Sequence, residues 1–207
     1  LSNKARAYTL ISVYNAQSGH IGGSLSAMDI IICAYFKKIR HNPKNPDFKD
    51  RDRFFFSKAH ITPAIYSAMG LSGYFNVEDF VISYRKLNSA FQGHPDMLLL
   101  KGIEISGGSL GQGLGIAVGC ALSGKIKKSD YKVFCLMGDG EQQEGSIWEA
   151  VMSAAHFKLD NLIGIIDKNN LQIDGSIGDV MSIESLAEKY MAFGWRVIEI
   201  NGHDIHQ

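Results

Sequence analysis

Three apolar runs, at residues 133–137, 162–166 and 197–200, the last with Glu199 inside it, alternate with stretches of helical character at 146–157 and 183–193. A strand that is apolar at every position is buried on both faces, and strands joined through helices lie parallel. A fourth short run, Arg53-Phe54-Phe55-Phe56-Ser57, reads as another buried strand. The pattern predicts an α/β fold, with a parallel sheet and helices on both faces making three layers. Further helices are expected at 4–17, 62–71 and 114–122, with Pro63 in the first turn of the second, where its missing N–H costs nothing. Residues 24–40 form a well-marked helix, with Leu25, Met28, Ile31, Ile32, Tyr35 and Phe36 at helical spacing. Lys37, Lys38 and Arg40 suit the dipole at its C-terminal end, and Asn42-Pro43-Lys44-Asn45-Pro46 terminates it.

No repeat, low-complexity tract or linker interrupts the chain, so residues 1–207 read as one domain. The sequence starts at Leu1 and stops just after Gly202-His203-Asp204, where another element is about to begin, so the domain is expected to be incomplete at its C-terminal end. Lys and Arg together number 21 against 21 Asp and Glu, a balance that gives no electrostatic footprint for nucleic acid or an anionic membrane. No apolar run approaches the roughly 20 residues of a membrane span, and Leu1 to Arg6 do not open a targeting segment. A soluble, cytoplasmic protein is expected. Cys33, Cys120 and Cys135 lie far apart in apolar segments without metal-ligand spacing and read as thiols in a reducing compartment.

In parallel α/β sheets ligands sit beyond the carboxyl ends of the strands. The run ending at Met137 leads into Gly138-Asp139-Gly140-Glu141, and that ending at Ile166 leads into Asp167-Lys168-Asn169-Asn170. Glycines on both sides of Asp139 leave the backbone uncrowded, and the following helix directs free N–H groups at the same place, which favours a phosphate. Asp139 and Asn169 supply the oxygen ligands magnesium takes, the remainder coming from phosphate and water. His20, His60 and His94 each lie in a turn marked by glycine or proline or next to one, and imidazoles converging on one edge could bind sugar hydroxyls and move protons. Lys125, Lys127 and Lys128 read as a solvated loop, and His41, His156, His203 and His206 as structural. A dinucleotide site fits poorly, because Gly111-Gln112-Gly113-Leu114-Gly115 lacks the required glycine spacing and does not follow an apolar strand.

Taken together these turns resemble the N-terminal part of transketolases, over nearly the whole chain. The segment Gly138-Asp139-Gly140-Glu141-Gln142-Gln143-Glu144-Gly145 through Trp148-Glu149-Ala150, followed by Asn169, is similar to the family's thiamine diphosphate motif. Ser18-Gly19-His20, Gln92-Gly93-His94-Pro95, Gly107-Gly108-Ser109-Leu110-Gly111-Gln112-Gly113 and Asn201-Gly202-His203-Asp204 are further blocks in the family order. The resemblance implies a thiamine-diphosphate-binding fold. It implies that Asp139, Asn169 and the main-chain oxygen of Leu171 hold Mg2+ or Ca2+ against the diphosphate, with Gly140 and His60 beside it. Gly108 and Leu110 would face the aminopyrimidine side, and His20 and His94 would line the substrate channel. Glu144, counted with the catalytic histidines, and Glu149, counted with the cofactor contacts, would lie near the subunit interface.

The turn after His20, Ile21-Gly22-Gly23-Ser24-Leu25-Ser26, resembles the split, two-gene form of the family. That form implies a C-terminal partner subunit carrying the pyrimidine-binding domain, a heterotetramer, and transfer of a two-carbon ketol unit between sugar phosphates. Ala59 stands before His60 where the family usually has glycine. A 2-oxoacid dehydrogenase or decarboxylase component would explain Asp139 and Asn169 equally well, but not the three histidines or Gln143-Glu144-Gly145. A non-catalytic scaffold would explain neither set.

Overall fold

The computed structural model describes residues 1–173 and 175–207. Strands β1 (Arg53–Phe56), β2 (Val133–Gly138) and β3 (Leu162–Asp167) form a parallel sheet in the order β1-β2-β3. On one face pack α1 (Ser2–Ala16), α2 (Gly22–Ser26), α3 (Met28–Cys33), α4 (Thr62–Ser72) and α5 (Val77–Ser83). On the other lie α6 (Gln112–Ile126), α7 (Gly145–His156) and, beyond a two-stranded hairpin of β4 (Leu171–Gln172) and β5 (Gly175–Ser176) and the short α8 (Ile177–Met181), the helix α9 (Leu186–Ala192).

Alternation along the strands divides the core into two. Phe54, Phe56 and Leu136 point into the α1–α5 layer, while Phe55, Val133, Cys135 and Met137 point into the α6–α7–α9 layer. Being apolar at successive positions is therefore what lets one strand serve both layers, and each buried Phe contributes about 1.5–3 kcal/mol by leaving water. Tyr66, Phe80, Tyr84 and Phe91 pack edge to face in the first layer, with centroids 5.5–6.5 Å apart.

Several expectations need correction. Residues 197–200 form no strand: Val197 tucks against the second core, but Ile198 and Ile200 are exposed. Apolarity makes a strand only where a sheet edge receives it. Here Trp195 packs against Gly164 of β3 and donates from Nε1 to the Val151 carbonyl (3.0 Å), fixing the chain on the helical layer instead. The helix expected at 24–40 starts at Gly22, breaks at Ala27, and ends in a wider turn of π type over Ala34–Lys38, leaving Arg40 outside to pair with Asp130. The helix expected at 183–193 starts only at Leu186, where Ser185 Oγ caps the N–H of Glu188 (3.3 Å). Helix α6 outruns its expected bounds, so Lys125 falls in its last turn and pairs with Asp160 (3.6 Å). Helix α5 lies outside the expected set, although Asn76 followed by Glu78 and Asp79 carries the usual acidic start. Cys33, Cys120 and Cys135 are free thiols, the last of them buried. No helix among the described residues is long and apolar enough to cross a membrane.

Candidate active site

All three strands end at one edge, and the turns that follow them meet there. After β1, Ser57 and Lys58 are buried and a single tight turn, Ala59–Ile61, presents His60. Its ring centroid lies 5.2 Å from that of His20, which lies 6.2 Å from that of His94, so the three turn histidines converge as expected. A Cβ on Gly23 would sit 3.1 Å from His60 Nε2 and 3.5 Å from Lys58 Nζ, so the absence of a side chain there keeps both groups open. Burial, then the charge of Lys58 and the neighbouring His20 and His94, lower His60 to about 4, and burial, Arg85 and His94 lower His20 as well. His60 is thus neutral near pH 7, with one ring nitrogen to donate and one to accept.

Lys58 and Asp167, at the ends of β1 and β3, form a buried ion pair (2.7 Å) and Ser26 donates to the other Asp167 oxygen (2.8 Å). Neither Lys58 nor Ser26 stands out in the sequence, because each acquires its meaning from a partner more than a hundred residues away.

Asp139 directly follows β2 and is also buried, but it is held differently. Its oxygens accept only main-chain N–H groups, those of Gly140 (2.9 Å) and Asn170 (2.5 Å), and among the described residues no Lys, Arg or His lies in ion-pair reach. A buried carboxylate without a cationic partner is costly, and its free lone pairs suit a bound cation. Asn169 Oδ1 accepts from the Leu171 N–H (2.9 Å), which folds the segment after β3 back beside Asp139, and Gly140 packs against Gln172 of the β4–β5 hairpin. One carboxylate, one amide oxygen and main-chain oxygens are hard donors too few to enclose an ion, and among the described residues no cluster of three or more His, Cys, Asp or Glu exists. The set fits a magnesium-like ion that takes its remaining ligands from phosphate and water.

The second glycine-rich turn closes the site. A Cβ on Gly108 would lie 3.7 Å from the His94 ring, and Gly107, Gly108 and Ser109 line a cleft of about 560 Å3 together with Ala59, His94 and Gln112. Leu110 is half-buried in the same turn. Glu144 and Glu149 are exposed at the start of α7; Glu144 packs its Cβ side near Gly111, and neither is brought against the histidines. Glu141, next to Gly140, is buried and accepts from Ser57 Oγ, Gly111 N (2.8 Å) and Gly138 N (3.0 Å), with burial raising its carboxyl above the usual range. Sequence marks it only as part of a motif. Of the remaining histidines, His41 stacks on Tyr74 and His203 pairs with Asp29 (2.9 Å), which are structural roles.

A parallel sheet with an uncompensated Asp139, an adjoining amide and three histidines at its carboxyl edge defines an α/β ligand-binding domain. The whole chain, residues 1–207, matches the family described as "Transketolase, thiamine diphosphate binding domain", and the chain belongs to the transketolase family. It is similar to one of the subunits of the apulose-4-phosphate transketolase of Phocaeicola vulgatus, 44% identical over 204 residues that cover 99% of this chain and 72% of that protein. It is also 39% identical to the 6-deoxy-6-sulfo-D-fructose transketolase subunit SqwG of a Clostridium species, covering 98% of this chain and 74% of that one. Among solved structures, the transketolase of Campylobacter jejuni superposes with a TM-score of 0.91 at 38% identity, over 99% of this chain and 33% of that one. The chain thus spans about three quarters of the subunit-type relatives and a third of the solved enzyme.

Proposed function

We propose that this chain is the N-terminal subunit of a thiamine-diphosphate-dependent transketolase, moving a two-carbon ketol unit from a ketose phosphate to an aldose phosphate together with a C-terminal partner. Residues 1–207 act as its diphosphate-binding domain. The observation that carries the reading is the meeting of His20, His60 and His94 with Asp139 at one sheet edge.

Asp139, Asn169 and the main-chain oxygen of Leu171 would hold Mg2+ or Ca2+, with Gly140, Gly108, Leu110 and His60 against the cofactor. Thiamine diphosphate, when bound, supplies the nucleophilic carbon that takes up and passes on the two-carbon unit. The chain's own residues position and exchange protons. His60, kept neutral by burial, can donate one hydrogen bond without adding charge beside Lys58. His20 and His94, both at the exposed end of the cluster, would bind the hydroxyls of the sugar and accept or return their protons at a ring nitrogen. Glu144 and Glu149, exposed on α7, would face a neighbouring subunit in a heterotetramer, whose pyrimidine-binding domain completes the cofactor site. Three free thiols fit a reducing, cytoplasmic setting.

The test is reconstitution with the partner. The pair should transfer two carbons from a ketose to an aldose while the isolated chain does not, and Asp139→Ala should abolish magnesium-dependent uptake of thiamine diphosphate in calorimetry with the fold intact. Release of carbon dioxide from a 2-oxoacid without ketol transfer would refute the assignment, and unchanged cofactor affinity in Asp139→Ala would refute the metal site.

A further inference from the structure

The turns that form the site belong to segments far apart in the chain, and one side chain, that of Glu141, touches three of them. Glu141 accepts from the hydroxyl of Ser57, directly before Lys58 and His60. It accepts from the N–H of Gly111 (2.8 Å), which ends the turn carrying Gly108 and Leu110. It also accepts from the N–H of Gly138 (3.0 Å), directly before Asp139. Ser57 Oγ in turn accepts from Gly113 N (3.0 Å), so the same pair fixes the start of α6. The approach is close enough to demand glycine: a Cβ on Gly113 would sit 2.5 Å from Ser57 Cβ, and one on Gly111 2.6 Å from Glu144 Cβ.

From this geometry we infer that Glu141 is a positioning residue of the cofactor site, a buried carboxylate that sets the spacing of His60, Gly108 and Asp139 without touching the ligand. The inference rests on the functional reading above. All three partners are donors, and a carboxylate offers only acceptors, so every bond is satisfied. Glutamine has the same shape but must turn its amide nitrogen either toward Gly138 N–H or toward Gly111 N–H. In both orientations one buried main-chain donor loses its acceptor and faces another donor, so the two turns are pushed apart.

The experiment uses the full chain with its partner in magnesium, comparing wild type, Glu141→Gln and Ser57→Ala by thiamine diphosphate calorimetry and by two-carbon transfer at saturating cofactor. If Glu141→Gln leaves the turns correctly spaced only about a tenth of the time, cofactor affinity falls about tenfold. The rate at saturating cofactor stays within about twofold of wild type, because bound cofactor restores the spacing. Ser57→Ala should weaken affinity in the same direction, and the double variant should lose less than the product of the single losses, because both act through one carboxylate. Should Glu141→Gln fail to fold, Ser57→Ala carries the same comparison. Equal affinity in wild type and the folded variants overturns the role of Glu141, as does a rate loss that saturating cofactor does not restore. A wild-type complex that takes up no thiamine diphosphate instead overturns the functional reading itself.

Discussion

Replacing Lys58 by methionine should be among the most damaging single changes to this protein. Lys58 and Asp167 are 2% and 7% exposed, and their charges are 2.7 Å apart. At an effective dielectric near 20, attraction at that distance is about 6 kcal/mol, most of it offsetting the removal of both ions from water. The pair is therefore worth little against a well-packed apolar replacement, but its halves are not. Lys58→Met keeps the aliphatic stem and leaves Asp167 with the Ser26 hydroxyl as its hydrogen-bond partner, an uncompensated buried charge costing about 3–5 kcal/mol. That is a large part of the roughly 5–15 kcal/mol that holds a domain folded. Lys58→Met/Asp167→Leu removes both charges and should recover most of the loss. Urea unfolding of the purified protein at neutral pH measures each corner of the cycle. A Lys58→Met loss below about 1 kcal/mol, the worth of an exposed pair, or a double variant as unstable as the single one, would refute the argument.

Gly111→Ala places a Cβ at φ +81° and 2.6 Å from both Glu144 Cβ and Ser146 Oγ, so it should cost about 2–4 kcal/mol in urea unfolding. Gly115→Ala, inside the helix that Gly111 precedes and with nothing within 4 Å, should instead stabilise the isolated chain by about 0.5–1 kcal/mol. His60 is lowered from 6.5 to about 4 by burial first and Lys58 second, so its contribution is complete above pH 6.5 and is lost as the pH falls toward 4, where the unfolded chain takes up a proton that the native one refuses. His60→Gln should flatten that part of the stability curve, and an unchanged slope between about pH 6.5 and about pH 4.5 would contradict the burial of a neutral ring.

Local pattern was enough for much of this molecule. Unbroken apolarity at 133–137 and 162–166 is a statement about two-sided burial, and it led to β2 and β3 within one residue at each end. Glycine on both sides of Asp139, glycine beside His20, and glycine and proline beside His94 are likewise local requirements of tight turns, so much of the candidate site was legible before any fold existed. Pattern failed where a residue's state depends on a remote neighbour. Residues 197–200 have the composition of a strand and yet form none, since ladder bonds need a sheet edge and the chain there is anchored through Trp195. The break at Ala27 interrupts a stretch with perfect helical spacing, because periodicity records which side is buried and not whether the axis stays straight. Glu141 has the local look of an acidic residue at a helix start, Lys58 of a surface lysine, and Ser26 of a helix filler. Their electrostatic states were decided only when folding brought Ser57 and Gly111 to Glu141 and Asp167 to Lys58 and Ser26, across 30 to 141 residues. A charge can be buried only where its counterpart or its donors arrive with it, and that condition is met by the tertiary structure alone.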